Sequence, residues 1–261
     1  MKLAAVVFAL AIAAANHAQA QSPQASDQQA QQGNQARPSG PLQQKLAPGM
    51  ANYTDEVLFG EIWPGQGLSP RDRSLAIISV LIATNKPAQL RSHLGRALNN
   101  GVTPTEASAV LTHLAIYSGW PNAVSALEVY DSVYTERDID FAALQAEIAP
   151  LPAAASDFAA ADTVSDQFGE VAPKFADLSN RVVFGDLWRR ADLSMRDRSL
   201  VTIATLTATG DTDLLQPYLR QGLEAGLTRD EIAEALTHVA FYAGWGKATR
   251  ALAVVTQTLG E

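Results

Sequence analysis

The 261-residue sequence contains no cysteine. This absence excludes disulfides, thiolate metal ligands and every mechanism that needs a thiol nucleophile or a redox pair of thiols. Runs of lysine or arginine are also lacking and the formal net charge is −8, which argues against nucleic acid or an anionic membrane as a partner. After residue 20, no apolar run is long enough to cross a bilayer. We therefore expect a chain that is held together by its core alone.

The N-terminal segment has the three parts of a secretory signal peptide in the required order. Lys2 precedes an apolar stretch, and Ala18-Gln19-Ala20 provides a cleavage site of small residues, so residues 1–20 are predicted to be removed. Residues 21–44 are rich in glutamine, alanine and serine and are predicted to form a disordered tether. The protein is thus expected to be exported, periplasmic or secreted, after cleavage near Ala20.

The rest of the sequence repeats itself at a fixed offset of 125 residues. Arg71-Asp72-Arg73-Ser74-Leu75 returns without change as Arg196-Asp197-Arg198-Ser199-Leu200, and His113 returns as His238. Such self-similarity indicates a duplicated structural unit. We predict two tandem copies that form an intrachain pseudo-dimer, with the first repeat at 45–136, a linker at 137–165 and the second repeat at 166–261.

Both copies are predicted to be all-α, because no segment alternates apolar and polar residues with a period of two. Ser69 and Thr103 are expected N-caps, each followed by a proline at the first helical position, and Gly101 suits a left-handed helix end. The helix that begins after Ser69 is apolar nearly all round, so we expect it to be central and buried. The expected helices of the first copy cover approximately residues 53–63, 70–84, 88–99, 104–119 and 120–135.

The ordered motifs of the first copy resemble those of the carboxymuconolactone decarboxylase family. They are Gly60-Glu61-Ile62-Trp63, Gly67-Leu68-Ser69, Arg71-Asp72-Arg73-Ser74-Leu75, His93-Leu94 with Arg96-Ala97-Leu98-Asn99-Asn100-Gly101, and Ala115-Ile116-Tyr117-Ser118-Gly119-Trp120-Pro121. The resemblance implies a compact helical unit that assembles into trimers or hexamers, with sites near the subunit contacts. A tandem chain that replaces a dimer of single units would then form a homotrimer, a pseudo-hexamer of repeats.

One branch with this fold, the alkylhydroperoxidases, carries a CxxCxxxH motif. Lys86 and Gln89 stand at the two cysteine positions of this sequence, and His93 alone is retained. A thiol peroxidase is therefore excluded. The resemblance instead implies a carboxy-lyase-like enzyme that needs no cofactor and acts on a small carboxylated lactone or related acid.

Such a decarboxylation needs a cation to orient the carboxylate, stabilisation of the dienolate and a proton donor for carbon. His93 is the candidate proton shuttle, because an imidazole titrates near neutral pH. The second copy has Tyr218 at the matching position, which favours one active pocket built around the first copy. Arg73 and Glu61 complete the expected catalytic set. The alternative is that His93 is a surface residue that has drifted.

Four further residues are expected to bind substrate: Arg71, Trp63, Tyr117 and His113. Each also has a structural interpretation. The arginines of both copies could pair with Asp72, Asp197, Glu61 or Asp186 and lock helices together. His113, kept as His238 in the second copy, could be a hydrogen-bonded core residue, and the aromatic rings could belong to the core or to an interface.

Two other functions remain open from the sequence. The same pocket could serve a hydrolase or isomerase of small lactones or phenolic compounds, or the chain could be a non-catalytic helical binding or assembly protein. A cavity shared by His93 and Arg73 favours an enzyme, whereas a His93 that points into solvent favours a binding protein. No metal site is predicted, because the histidines are well separated and lack HxxxH spacing.

Overall fold

The computed structural model of the protein describes residues 37–152 and 155–260, with the backbone alone in 155–161. The predicted signal peptide and residues 21–36 of the predicted tether lie outside this range. Residues 41–44 of that tether are helical, since α1 spans Pro41–Leu46. Composition alone misses this helix, which begins at a proline whose fixed φ suits the first turn. The side-chain amide of Gln44 also donates to the carbonyl of Ser39 at 2.7 Å.

The first repeat contains five α-helices after α1, and a π-helix (Tyr53–Ile62) lies between the first two of them in the sequence. The five are α2 (Pro48–Asn52), α3 (Pro70–Ala83), α4 (Pro87–Asn99), α5 (Pro104–Tyr117) and α6 (Trp120–Glu136).

The same order returns in the second repeat. A 3₁₀ turn (Phe141–Gln145) and α7 (Ala155–Phe168) lead into α8 (Pro173–Leu178), a π-helix (Ser179–Phe184), a 3₁₀ turn (Leu187–Arg189), α9 (Met195–Thr209), a 3₁₀ turn (Thr212–Leu214), α10 (Leu215–Glu224), α11 (Arg229–Ala243) and α12 (Trp245–Leu259). The prediction of an all-α tandem repeat is confirmed, since β-structure in the described residues is limited to an isolated bridge between Pro150 and Arg190. Helix α7 crosses the expected boundary between linker and second repeat. None of the described helices is long and apolar enough to span a membrane.

The predicted helix ends are confirmed by their local hydrogen bonds. The side chain of Ser69 accepts from the backbone N–H of Asp72 at 3.0 Å at the start of α3. Thr103 and Thr228 form capping boxes with the glutamates three residues later, at the starts of α5 and α11. Gly101 follows α4 with φ +94°, a backbone conformation that residues with a Cβ rarely adopt.

Helices α3 and α9 pack against each other at the centre of the two repeats. Every residue of α3 from Asp72 to Ala83 is buried, as the apolar pattern predicted. Helix α3 also contacts α11 of the second repeat, and α9 contacts α5 of the first repeat in the same way. The central helix of each repeat therefore packs against a helix of the other repeat.

Reciprocal ion pairs join the two repeats. Arg71 pairs with Asp197 at 2.8 Å, and Arg196 pairs with Asp72 at 2.9 Å. Each arginine also reaches the capping glutamate of its own repeat, Glu106 at 2.6 Å or Glu231 at 2.7 Å. Contacts in which residue i meets j and the copy of j meets the copy of i are the signature of a twofold interface. The chain is thus an intrachain pseudo-dimer.

Candidate functional site

Side chains from both repeats converge around His93. Trp63 follows the first π-helix, and the backbone N–H of Trp63 donates to the carbonyl of Leu58 at 3.0 Å, which closes the last π turn. Arg73 comes from α3 and His93 from α4. Three residues of α11, spaced four apart and therefore on one helix face, complete the group. We call these six residues the His93 cluster: Trp63, Arg73, His93, Glu234, His238 and Tyr242.

Four rings of the His93 cluster are in mutual contact. His238 lies edge-on to Trp63 with 4.6 Å between ring centroids, and His93 stacks on the same indole at 5.8 Å. His93 is also edge-on to Tyr242 at 5.1 Å. The indole N–H of Trp63 donates to the hydroxyl of Tyr242 at 3.1 Å, which fixes both rings. The two imidazoles, one from each repeat, thus contact the same indole and phenol rings. We call these four rings the aromatic enclosure.

Arg73 is held at the buried end of the His93 cluster. Its side chain is 0% exposed, and Nη2 donates to the carbonyl of Gly65 at 2.9 Å and to Oε1 of Glu234 at 2.6 Å. An unpaired buried guanidinium would be costly, so the carboxylate of Glu234 stabilises its charge. The other two nitrogens, Nε and Nη1, have no hydrogen-bond partner among the described residues.

Five buried nitrogen atoms without a partner in the described part of the chain lie in the His93 cluster. They are Nε and Nη1 of Arg73, Nδ1 of His93, and both Nδ1 and Nε2 of His238. The large majority of buried side-chain polar atoms in folded proteins are hydrogen-bonded, so a concentration of unbonded nitrogens calls for an explanation. A polar ligand that accepts and donates hydrogen bonds would satisfy them.

Burial keeps both imidazoles of the His93 cluster neutral. Desolvation lowers the pKa of His93 from 6.5 to about 4, and the charge of Arg96 lowers it further in the same direction. Desolvation also lowers the pKa of His238 to about 3, with added repulsion from Arg73 and His93. At neutral pH each ring therefore offers one N–H donor and one nitrogen acceptor.

Arg96 forms the outer edge of the site. Its guanidinium carbon lies 4.9 Å from the ring centroid of Trp63 and 5.2 Å from that of Phe59, a cation–π arrangement. The Arg96 side chain is exposed, whereas the Arg73 side chain is buried, so the site has one guanidinium at the surface and one in the core. The second repeat has Gln221 in place of Arg96 and lacks this outer charge.

A matching group surrounds Tyr218. We call it the Tyr218 cluster, and its members are His113, Tyr117, Trp188, Arg198, Thr202 and Tyr218. The indole N–H of Trp188 donates to the hydroxyl of Tyr117 at 2.7 Å, and that hydroxyl lies 2.9 Å from the hydroxyl of Tyr218. Tyr218, at the position of His93, therefore fills its side of the enclosure with a hydrogen-bonded ring.

The histidine of the Tyr218 cluster has partners that His238 lacks. Thr202 donates to the backbone carbonyl of Arg198 at 2.7 Å, so its oxygen accepts from Nε2–H of His113 at 2.8 Å. Nδ1 of His113 then faces Nη1 of Arg198 at 3.5 Å. In the first repeat Ile77 stands at the position of Thr202 and offers no acceptor to His238. In the Tyr218 cluster, Nε of Arg198 is the one buried nitrogen without a partner in the described residues.

The structure brings three of the seven sequence-predicted site residues together: Trp63, Arg73 and His93. His113 and Tyr117 lie in the Tyr218 cluster instead, because α5 of the first repeat packs on α9 of the second. Arg71 is engaged in the ion pairs between the repeats. Glu61 is exposed at the end of the first π-helix.

Three members of the His93 cluster come from the second repeat and were not among the predicted site residues: Glu234, His238 and Tyr242. One signal pointed to them. The position of Glu234 is Ala109 in the first repeat, so the two copies differ there as they do at His93. No group of three His, Asp or Glu side chains within residues 37–152 and 155–260 is arranged to hold a metal ion.

A surface groove of about 560 Å³ between α4 and α6 lies apart from these rings. It shares Arg96 with the outer edge of the site, but its other arginines are already engaged. Arg91 bonds Ser132 and Glu136, and Arg137 donates to Asn99 at 2.8 Å. Unbonded buried nitrogens, rather than open volume, therefore locate the candidate site.

The two repeats both match the model of one protein family, the carboxymuconolactone decarboxylase family, at residues 48–132 and 173–257. The chain belongs to this family. Members related to it include a 4-carboxymuconolactone decarboxylase of Acinetobacter baylyi, 34% identical over 88 residues, which are 34% of this chain and 66% of the relative. A nitrosuccinic acid decarboxylase of Metarhizium robertsii is 34% identical over 82 residues, 31% of this chain and 57% of the relative. The chain thus spans less than two thirds of the length of either curated decarboxylase.

Proposed function

We propose that the His93 cluster is the active site of a cofactor-independent decarboxylase that acts on a small carboxylated lactone or a related acid. The observation that carries this proposal is the group of five unbonded buried nitrogens on Arg73, His93 and His238. Membership of a family that includes two named decarboxylases supports the type of reaction. The Tyr218 cluster, whose histidine is hydrogen-bonded, has no part in the proposed chemistry.

Arg73 supplies the charge that draws an acid into the enclosure. Its Nε–H and Nη1–H groups donate to the substrate carboxylate, while Nη2 stays bonded to Glu234. Charge-assisted hydrogen bonds of this kind are stronger than neutral ones and fix orientation. The aromatic rings of Trp63 and Tyr242 pack against the body of the substrate.

The reaction breaks the bond between the carboxyl carbon and the ring carbon. The electron pair of that bond passes into the conjugated lactone carbonyl, which gives a dienolate as carbon dioxide leaves. An N–H of His238 donates to the dienolate oxygen, where negative charge develops. His93 then delivers a proton to carbon.

The proton comes from solvent before the bond breaks. Both imidazoles are neutral because burial lowers their pKa values to about 4 and about 3. A bound carboxylate favours the charged form of a neighbouring imidazole and raises its pKa. His93, which is partly exposed, therefore takes up a proton as the acid binds, and one proton is consumed in each turnover.

Carbon dioxide release from defined acids tests this proposal. The purified protein is incubated with 4-carboxymuconolactone and with nitrosuccinic acid, the acids named for the two relatives, and with a panel of other lactone acids. We expect stoichiometric carbon dioxide release from at least one acid, and its loss in Arg73→Ala. Tyr218→Phe is the matched control, because it removes one hydroxyl from the other cluster.

The other outcomes identify the alternatives. Ring opening or isomerisation of a lactone without carbon dioxide release would replace the decarboxylase with a hydrolase or isomerase in the same pocket. Saturable binding of an acid without any conversion would leave a non-catalytic binding protein. Either result would contradict the proposed reaction.

A further inference from the structure

The two buried arginines of the clusters obtain their counter-charge from different places. Nη2 of Arg73 donates to Glu234 of the opposite repeat at 2.6 Å, whereas Nη2 of Arg198 donates to Asp192 of its own repeat at 2.6 Å. Both nitrogens also donate to a backbone carbonyl at matching positions, Gly65 at 2.9 Å and Arg190 at 2.7 Å. Arg73 and Arg198 are thus held by the same kinds of bonds, but the carboxylate comes from the opposite repeat for Arg73 and from its own repeat for Arg198.

The positions that match these two carboxylates in the other repeat carry residues without a carboxylate. Gly67 stands at the position of Asp192, and Ala109 stands at the position of Glu234. Each arginine therefore has one carboxylate at 2.6 Å, supplied by the loop of its own repeat or by the α11 helix of the other repeat. The exchange is complementary, since each position with a carboxylate in one repeat has a small residue in the other.

Two glycines make room for Glu234. A Cβ at Gly67 would lie 3.2 Å from Cγ and Cδ of Glu234, and a Cβ at Gly65 would lie 2.8 Å from Nη2 of Arg73. Neither glycine has the positive φ that would require glycine for conformational reasons. The loop before α3 thus packs closely over the ion pair of Arg73 and Glu234.

We propose that Glu234 is a positioning residue that acts through Arg73, so that the second repeat sets the orientation of the guanidinium in the site of the first. Glu234 and the carbonyl of Gly65 hold Nη2, which leaves Nε and Nη1 without hydrogen-bond partners in the described residues. The proposal rests on the proposed function for its catalytic consequence. The contact that positions Arg73 is open to test without any turnover.

The carboxylate of Glu234 can be removed and a replacement placed at Gly67, the position that matches Asp192, and this pair of changes tests the proposal. Glu234→Ala should lower kcat/KM by about 100-fold, because a misplaced guanidinium no longer orients the carboxylate. Gly67→Asp in the Glu234→Ala background restores the arrangement of Arg198 and Asp192 and should recover at least about tenfold of the loss. Asp192→Ala is the matched control, since it removes the same contact from Arg198 and should leave turnover within about twofold while lowering the melting temperature.

A second readout follows Arg73 directly. The nitrogen-15 NMR signal of its Nε–H, assigned by its loss in Arg73→Lys, should broaden by exchange with water in Glu234→Ala and sharpen again in Glu234→Ala/Gly67→Asp. Glu234→Gln, which keeps an oxygen acceptor without the charge, should give an intermediate signal and serves if Glu234→Ala folds poorly.

The outcomes separate the two proposals. If the protein converts none of the acids but the Arg73 signal is lost and rescued as described, the proposed reaction fails and the positioning contact stands. Wild-type kcat/KM together with an unchanged Arg73 signal in Glu234→Ala would overturn the positioning role. Recovery of the melting temperature in the double variant without recovery of the Arg73 signal would also overturn it.

Discussion

The imidazole of His238, from the second repeat, lies edge-on against the indole of Trp63, from the first, with 4.6 Å between ring centroids. One repeat therefore cannot assemble the His93 cluster from its own side chains. The differences between the two copies of the sequence predicted a single pocket around the first copy, with the second copy as a scaffold. In the structure, the second copy contributes His238 and Tyr242, two of the four rings of the aromatic enclosure.

The first prediction separates His93 from its counterpart. His93→Ala should abolish turnover with little change in melting temperature, because the ring contacts Trp63 and Tyr242 at an edge of the core. Tyr218→Ala should instead cost about 2–4 kcal/mol of unfolding free energy and spare turnover in the folded protein. Carbon dioxide release and thermal unfolding measure both effects. Full activity in His93→Ala would remove it as the proton donor.

The second prediction concerns the residue opposite His238. Ile77→Thr should place a hydroxyl where Thr202 bonds His113 at 2.8 Å, and a bonded His238 should lower kcat by about tenfold or more. Ile77→Val is the control, because it removes one methylene without adding a hydroxyl and costs about 0.5–1.5 kcal/mol of stability. Equal kcat in the two variants would show that the nitrogens of His238 need not be free.

The third prediction concerns the ion pairs between the repeats. Asp197→Ala leaves Arg71 with Asp72 and Glu106 and should lower the unfolding free energy by about 1–3 kcal/mol, between the values for exposed and buried pairs. Turnover per folded molecule should persist, since these charges lie outside the His93 cluster. Asp177→Ala, which breaks exposed pairs with Lys174 and Arg181, should leave the unfolding free energy nearly unchanged. A fall in turnover without a fall in stability would return Arg71 to the substrate-binding residues.

The fourth prediction concerns acid stability. His93 and His238 have folded-state pKa values of about 4 and about 3, below the ordinary 6.5, so the unfolded chain binds protons that the folded chain excludes. Their neutral forms favour the folded state above pH 6.5, and this contribution is lost progressively as the pH falls towards 4 for His93 and towards 3 for His238. The melting temperature should therefore drop across this window, and less steeply in His93→Ala. An equally steep drop in that variant would assign the effect to other groups, of which buried His113, with its lowered pKa, is one.

The fifth prediction concerns assembly. The family resemblance implies a trimer of this tandem chain, so light scattering should give about three chains per particle. Trp120 and Trp245, at matching positions, are each 65% exposed. We predict that they become less accessible to a soluble fluorescence quencher in the assembly. A monomer at all concentrations would contradict this prediction.

The helices were predictable because their signals are local. Ser69, Thr103 and Gly101 mark helix ends by bonds or dihedral angles within a few residues, and the apolar character of α3 requires burial wherever the helix lies. The gapless repeat then required one fold twice. The short helix at Pro41 was missed because a glutamine-rich composition outweighed a single proline signal.

The site was predictable only in part, because its members meet across the pseudo-twofold axis. His93 was found by its difference from Tyr218, which needs no knowledge of packing. His113 and Tyr117 were assigned to the same pocket because that pocket was expected to be built around the first copy, whereas packing brings their counterparts, His238 and Tyr242, to His93. Sequence periodicity places a residue on a helix face but does not say which repeat that face contacts.

The carboxylate that bonds the buried arginine comes from Asp192 in one cluster and from Glu234 in the other, so the two repeats are not interchangeable. A pair of first repeats would bring His93 to the opposing helix but place Ala109 where the arginine needs a carboxylate. A pair of second repeats would have carboxylates in excess and a tyrosine where the imidazole belongs. Each half supplies a residue that the other lacks, so we expect that cutting the chain into its repeats would yield two proteins, neither of which could rebuild the site alone.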